Sequence, residues 1–126
     1  MIIKSIEDLK VWQESRLLNK EVYKVTQNFP IQEKNNLISQ LRRASSSVCA
    51  NIAEGFGRYH PQESIQFYQM ARGSILEIKS HLYLSLDQQY INQTTIDNLF
   101  ALMDKTGKML SGLINQTRSF RNNTKL

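Results

Sequence analysis

The chain has 126 residues, of which 40% are hydrophobic and 21% charged; this composition suits one globular domain and argues against global disorder. No segment approaches the roughly 18 uncharged apolar residues of a membrane span, and residues 1–10 lack a signal-peptide apolar block, so we expect a cytoplasmic protein. Sixteen Lys and Arg against eleven Asp and Glu give a net charge of +5, which favours a polyanionic partner.

The first helical pattern follows Ser5 and Asp8, which have the spacing of a capping pair. Apolar and small residues then recur every three or four positions, as on the buried face of an amphipathic helix. This predicted stripe contains Val11, Ser15, Leu18, Val22, Thr26 and Phe29. Trp12 flanks the stripe. Pro30 disfavours helical geometry at the preceding residue, so the helix should end just before this proline.

The second helix is predicted to begin near Gln32 or Glu33 and to end at Gly55 or Gly57, where glycine can adopt a left-handed turn. Its core stripe is Leu37, Leu41, Ser45, Val48, Ile52 and Phe56. The run of small residues at 44–50 favours close packing against a neighbouring helix, and we prefer that interpretation to a nucleophilic serine.

The third helix is predicted to begin at Pro61, because proline in a first turn forfeits no needed hydrogen-bond donor. Its core stripe is Tyr68, Ala71, Ile75, Ile78, Leu82 and Leu86. A second apolar row widens that stripe and implies another packing surface; it consists of Ile65, Leu76 and Tyr83. Arg72 and Lys79 lie within this wider arc. They either face a subunit contact or pore, or extend their stems along apolar surface.

The fourth helix follows a polar, cap-rich segment at 90–95, and its apolar positions are Ile96, Leu99, Met103, Leu110, Leu113 and Ile114. Four helices joined by short connections predict an all-α, antiparallel up-down-up-down four-helix bundle. We assign residues 1–118 to this bundle domain. Residues 119–126 are predicted to form a flexible polar tail.

A polar stripe on the second helix holds Arg43, Ser47, Asn51, Glu54 and Arg58 at spacings of three or four. One interpretation is a solvated face with an ion pair between Glu54 and Arg58. The other is an interface, in which Asn51 and Glu54 join loop or subunit backbone and the arginines face a partner.

Catalytic and metal sites are not expected from the sequence. Glu77 and His81 have the spacing of a surface pair and not of a di-metal motif, and no base is tied to the serines. Cys49 lies among apolar and small neighbours, as a structural thiol does. We therefore expect no cofactor, no bound metal and no enzymatic activity.

Five blocks keep a common order and spacing: Asp8–Trp12, Phe29–Pro30, Gln40–Ala44, Asn51–Arg58 and Ala71–Ser74. In these blocks the chain closely resembles, over about residues 6–118, a bacterial family of four-helix-bundle proteins encoded in intervening sequences of 23S ribosomal RNA genes. That family commonly has Pro or Ser just before the Asn51 block, where this chain has Ala50.

The resemblance implies a ring-like homopentamer, with relatives that serve as accessory proteins of diversity-generating retroelements and bind nucleic acid and a reverse transcriptase. By this resemblance, the basic positions of the family correspond to Arg42, Arg43, Arg58 and Arg72 in this chain. The family's Asn-Ile-Ala-Glu-Gly block corresponds to Asn51–Gly55.

Two functions follow as hypotheses. The first is a non-enzymatic RNA-binding scaffold in which ring assembly multiplies weak phosphate contacts. Its expected contacts are Arg42, Arg43, Arg58, Arg72 and Lys79, and its expected structural or interface residues are Trp12, Asn51, Glu54 and Gly55. The second is an adaptor whose basic face binds a polymerase or reverse transcriptase, with ribosomal components as further possible partners.

Overall fold

The computed structural model of the protein describes the backbone of residues 3–124 and the side chains of residues 3–120. Four long helices make up most of this part: α1 (Lys10–Thr26), α2 (Ser39–Phe56), α3 (Pro61–Asp87) and α4 (Gln93–Thr124). The described residues contain no strand. The predicted all-α class and the four-helix bundle are therefore confirmed.

Contacts between the helices give the topology. Asn19 on α1 donates to Ser45 on α2 at 2.8 Å, whereas Arg42, earlier in α2, donates to Thr26, later in α1, at 2.9 Å; α1 and α2 are thus antiparallel. The short connections at 57–60 and 88–92 likewise leave α2, α3 and α4 antiparallel to their neighbours. Packing of α4 against α1 closes the bundle, so α3 lies diagonally opposite α1.

The predicted core stripes are buried. Of their residues only Phe56, Leu86 and Leu113 remain half-exposed. Two polar core residues satisfy their hydroxyl groups within their own helix, since Ser15 donates to the carbonyl of Trp12 at 2.6 Å and Thr26 to that of Val22 at 2.8 Å. Such bonds explain how short polar residues fit a dry interior.

Helix starts differ from the sequence expectation. Ser5 does donate to Asp8 at 3.2 Å, but the pair closes a 3-10 turn (Ile6–Asp8) before α1. Helical turns begin at Ile31, near the predicted start of the second helix, yet regular α-helix begins only at Ser39. Asn35 and Asn36 leave helical dihedral angles between these points. Asparagine has a low helix propensity, in keeping with a break at these two residues.

The connection between α3 and α4 is sharply defined. Gln89 adopts a left-handed φ of 64° just after α3, and Asn92 accepts a hydrogen bond from the amide of Thr95 at 2.8 Å as α4 begins. Helix α4 then continues through residues 119–124, where we predicted a polar tail. Residues 125–126 of that tail lie outside the described range, and its flexibility stays a prediction.

Candidate nucleic-acid interface

A groove runs between α3 and α4 on the outside of the bundle. We call it the α3–α4 groove; its volume is about 440 Å³. Its lining residues are Arg72, Ile75, Leu76, Lys79, Phe100, Met103, Asp104, Gly107, Lys108 and Ser111. The α3 members recur at helical spacing beside the core stripe, and the α4 members do the same, so the two helices present matching sides to each other.

Two cations of this groove have no carboxylate within ion-pair distance among the described side chains. Arg72 contacts only the amide oxygen of Gln69, at 3.4 Å, and the Lys79 ammonium lies 5.3 Å from the centroid of the Phe100 ring. The third cation, Lys108, pairs with Asp104 at 3.0 Å. The groove therefore holds three cations against one carboxylate, and its positive charge is open to an anionic partner.

Apolar and aromatic surface borders these cations. Leu76 is 67% exposed and Tyr83 is 49% exposed, while the Tyr83 and Phe100 rings lie 5.1 Å apart at an angle of 60°. This surface agrees with the predicted apolar row outside the core stripe of the third helix. An aromatic surface beside unpaired cations has the composition of sites for nucleotides and for protein partners alike.

Arg42 holds α1 to α2. Its Nε donates to the Thr26 hydroxyl at 2.9 Å, and its guanidinium lies 4.6 Å from the centroid of the Tyr23 ring. A second, longer bond of 3.4 Å goes to the carbonyl of Tyr23 in the last turn of α1. Because a cation at a helix C-terminus is favourable, this arginine has a structural role whether or not it also contacts nucleic acid.

Arg43 on α2 and Arg58, two residues beyond the end of α2, are paired with carboxylates. Arg43 lies 2.8 Å from Glu77 on α3, and Arg58 lies 2.9 Å from Glu54 one turn earlier. The Glu54–Arg58 ion pair was predicted, but the Arg43–Glu77 pair was not. Exposed ion pairs of this kind are weak, so a polyanion would compete with the two carboxylates for these arginines at a small cost in free energy. The structure thus does not gather the five predicted cations into one site.

The remaining predicted site residues take structural positions. Trp12 is half-buried against the core, and the Arg16 guanidinium lies 5.2 Å from the centroid of its ring. Asn51 donates to the carbonyl and hydroxyl oxygens of Ser47, at 2.9 and 3.0 Å, and therefore bonds within its own helix. The Ser47 hydroxyl also accepts from Ser74 on α3 at 3.0 Å. A short polar network thus links α2 to α3.

At Gly55, α2 and α3 approach each other too closely for a side chain. A Cβ placed there would lie 2.6 Å from Cε1 of Tyr68 and 2.9 Å from the backbone oxygen of Ser64. At Gly73, by contrast, a Cβ would meet nothing within 4 Å. The glycine that the packing requires is therefore at the end of α2.

The pKa of Tyr68, which packs against Gly55, predicts that the stability of the fold depends on pH. Burial raises the pKa of Tyr68 to about 12, above the ordinary value near 10. The folded state therefore holds this proton more tightly than the unfolded chain, and stability is complete below about pH 10 and declines as the pH rises towards about 12.

We expect Tyr68→Phe, which cannot ionise, to lose less stability than the native chain over that pH interval. Urea midpoints measured at about pH 9 and about pH 11 for both proteins give the comparison. An equal loss in the two proteins would contradict it.

Phe100, Gly107 and Lys108 were not singled out by the sequence reasoning. Phe100, Asp104, Gly107 and Ser111 recur at spacings of four, three and four, which places them along one side of α4. That spacing is readable in the sequence. However, the spacing indicates a site only once the structure shows that Arg72 and Lys79 face this side of α4.

The part of the chain that the structure describes contains no group of three or more His, Cys, Asp or Glu side chains arranged to hold a metal ion. Within the same range, no helix combines the length and apolarity needed to cross a bilayer.

Comparison with known proteins gives one family and one fold. The family model described as 23S rRNA-intervening sequence protein matches residues 7–112. A crystal structure of a protein with unknown function, from the S23 ribosomal protein family of Bacteroides thetaiotaomicron, is similar, with a TM-score of 0.73 and 21% sequence identity. The match covers 82% of this chain and 97% of that one, and at this identity it shows a shared fold alone. No curated protein matches the chain significantly.

Proposed function

The chain belongs to the 23S rRNA-intervening sequence protein family, and from that membership we propose that it is a non-enzymatic, RNA-binding scaffold that acts in the cytoplasm as a ring-like homo-oligomer. The observation that carries the proposal is the α3–α4 groove, in which Arg72 and Lys79 have no carboxylate partner among the described side chains. Unpaired Lys and Arg side chains are the groups that neutralise phosphates.

Assembly into a ring makes physical sense for such a scaffold. One subunit offers few phosphate contacts, and each is weak and dependent on salt concentration. Linking several copies turns later contacts into intramolecular ones and so raises the overall affinity without any new type of contact. We propose a pentamer, whose mass in light scattering would be five times the 14.6 kDa of one chain.

The central prediction concerns charge reversal in the groove. We expect Arg72→Glu combined with Lys79→Glu to weaken RNA binding by at least about tenfold, because two attractive phosphate contacts become repulsive. Fluorescence anisotropy with one labelled RNA, at about 50 and about 200 mM salt, measures this change and also the salt slope.

The matched control reverses the same number of charges elsewhere. Lys20→Glu with Lys24→Glu alters α1, which lies diagonally opposite α3, and should weaken RNA binding much less. Equal losses in the two double variants would mean that net charge alone matters. The proposal would be overturned if the affinity for RNA did not depend on salt concentration, or if it were unchanged by charge reversal at Arg72 and Lys79.

A second candidate function is a protein-interaction adaptor. The observation that favours it is the apolar surface at Leu76 and Tyr83 beside the cations, which also suits a polymerase or reverse transcriptase with an acidic face. Recovery of a bound protein from lysate with and without nuclease separates the two functions. An RNA-mediated contact disappears after digestion, whereas a direct protein contact persists.

A further inference from the structure

The α3–α4 groove has the dimensions of a ligand pocket and not of a channel for a double helix. Its volume of about 440 Å³ lies in the range of sites that enclose one small molecule or one residue of a polymer. Gly107 lines it, and the space beside Gly107 is open, since a Cβ there would meet no atom within 4 Å. Glycine weakens a helix interior relative to alanine, and no contact within the described chain requires a glycine at this position.

The chemistry along the groove changes from charge to aromatic surface. Arg72 and Lys79 lie two helical turns apart on α3, about 10 Å along the axis. Phe100 lines the groove next to Lys79, and the half-exposed Tyr83 ring, which lies just outside the lining, packs against Phe100. A nucleotide has the same two parts, an anionic phosphate and a flat base, and single-stranded nucleic acid is commonly held by cations together with stacking aromatic rings.

We propose that the α3–α4 groove binds an unpaired nucleotide of single-stranded RNA, with its base against the Tyr83–Phe100 pair and its phosphates near Lys79 and Arg72. This inference rests on the proposed function and adds a preference for unpaired bases. Bases inside an A-form duplex are stacked on each other in a helix with a deep, narrow major groove, so they do not reach such a pocket. The protein then selects loops and single-stranded ends over paired stems.

A second copy of the chain is the main competing occupant of this groove. Leu76 offers apolar surface for such a contact. However, a ring joins two different faces of neighbouring copies, and each copy has a net charge of +5, so the positive groove would meet a like-charged chain. The excess positive charge of the groove is better matched by phosphate.

The test compares a single-stranded RNA oligomer with an abasic analogue that has the same length and the same number of phosphates. We expect the native chain to bind the intact RNA about tenfold more tightly, as is found when stacking on aromatic side chains contributes to binding. Gly107→Leu fills the groove and should reduce this ratio to about one. Tyr83→Leu, which keeps apolar surface but removes the ring, should also reduce it.

Gly112→Leu is the matched control. It lies on α4, a Cβ there also meets nothing within 4 Å, and it does not line the groove. This variant should keep the preference of the native chain for intact RNA, and circular dichroism should show all three variants equally helical.

Each contrary outcome has its own meaning. Equal binding of intact and abasic RNA by the native chain would overturn this inference and leave phosphate binding in place. If neither RNA binds, both the inference and the proposed function fail. If Gly107→Leu alters the solution mass while the preference for intact RNA persists, the groove is a contact between subunits and the inference is wrong.

Discussion

Gly55→Val is expected to lower the free energy of unfolding by about 3 kcal/mol, at the upper end of the usual cost of overpacking. Its Cβ would lie 2.6 and 2.8 Å from two ring carbons of Tyr68, which cannot move aside easily because that ring is itself buried. The contact at 2.9 Å to the Ser64 backbone oxygen is more restrictive still. To relieve it, α3 would have to move away from α2.

Urea denaturation at fixed protein concentration measures the loss, since assembly would make stability depend on concentration. Gly73→Val is the control, because it makes the same substitution in a helix where the new side chain meets open space. We expect its stability to stay within about 0.5 kcal/mol of the native chain. Equal destabilisation by the two substitutions would show that the α2–α3 contact is not responsible.

Leu82→Ala should cost about 3 kcal/mol, the middle of the range for truncating a buried leucine. Leu82 is fully buried on α3, and its removal leaves a cavity that the surrounding core cannot fill without losing other contacts. Thermal unfolding at one fixed protein concentration gives the change in midpoint.

Leu84 lies two positions further along the same helix and is 49% exposed. Leu84→Ala therefore makes the same chemical change with little cavity, and its cost should be less than about 1 kcal/mol. Comparable losses in the two variants would mean that Leu84 is covered in solution. The face of α3 that carries it would then belong to an interface.

Much of the fold was readable from the sequence, and the α1 stripe shows why. Leu18, Val22 and Thr26 recur at a spacing of four, and in a helix that spacing fixes one face whatever the neighbours are. All three are buried. The burial of Thr26 also follows locally, because its hydroxyl is satisfied by the carbonyl of Val22 in the same helix.

The start of α2 was harder to predict, because the apolar stripe of this helix begins only at Leu37 and its spacing does not define the residues before it. We expected the helix to begin near Gln32 or Glu33. In the structure, Asn35 and Asn36 leave helical geometry, and the Asn36 side chain donates to that of Glu33 at 2.9 Å. Periodicity does not register the low helix propensity of asparagine, so it does not locate this break.

The candidate site was predictable only in part. The sequence placed Arg72 and Lys79 in a widened apolar arc of the third helix, which is where the groove lies. Phe100 and Gly107 form the opposite wall of the groove and lie far from Arg72 and Lys79 in the sequence. They belong to a helix whose rotation about its own axis the sequence does not define. A groove between two helices exists only once both rotations are fixed.

By itself, the sequence determined the number of helices, their buried faces and the ion pair between Glu54 and Arg58, which lie four positions apart at the C-terminal end of α2. The tertiary structure alone decided that Arg43 is paired with Glu77 across two helices and that Gly55, but not Gly73, lies too close to a neighbouring helix for a Cβ. It also decided that Arg72 and Lys79 have no carboxylate partner among the described side chains. The reason is geometric: the helical repeat fixes neighbours within one helix. Neighbours on different helices depend on how those helices are rotated and shifted when the whole core packs.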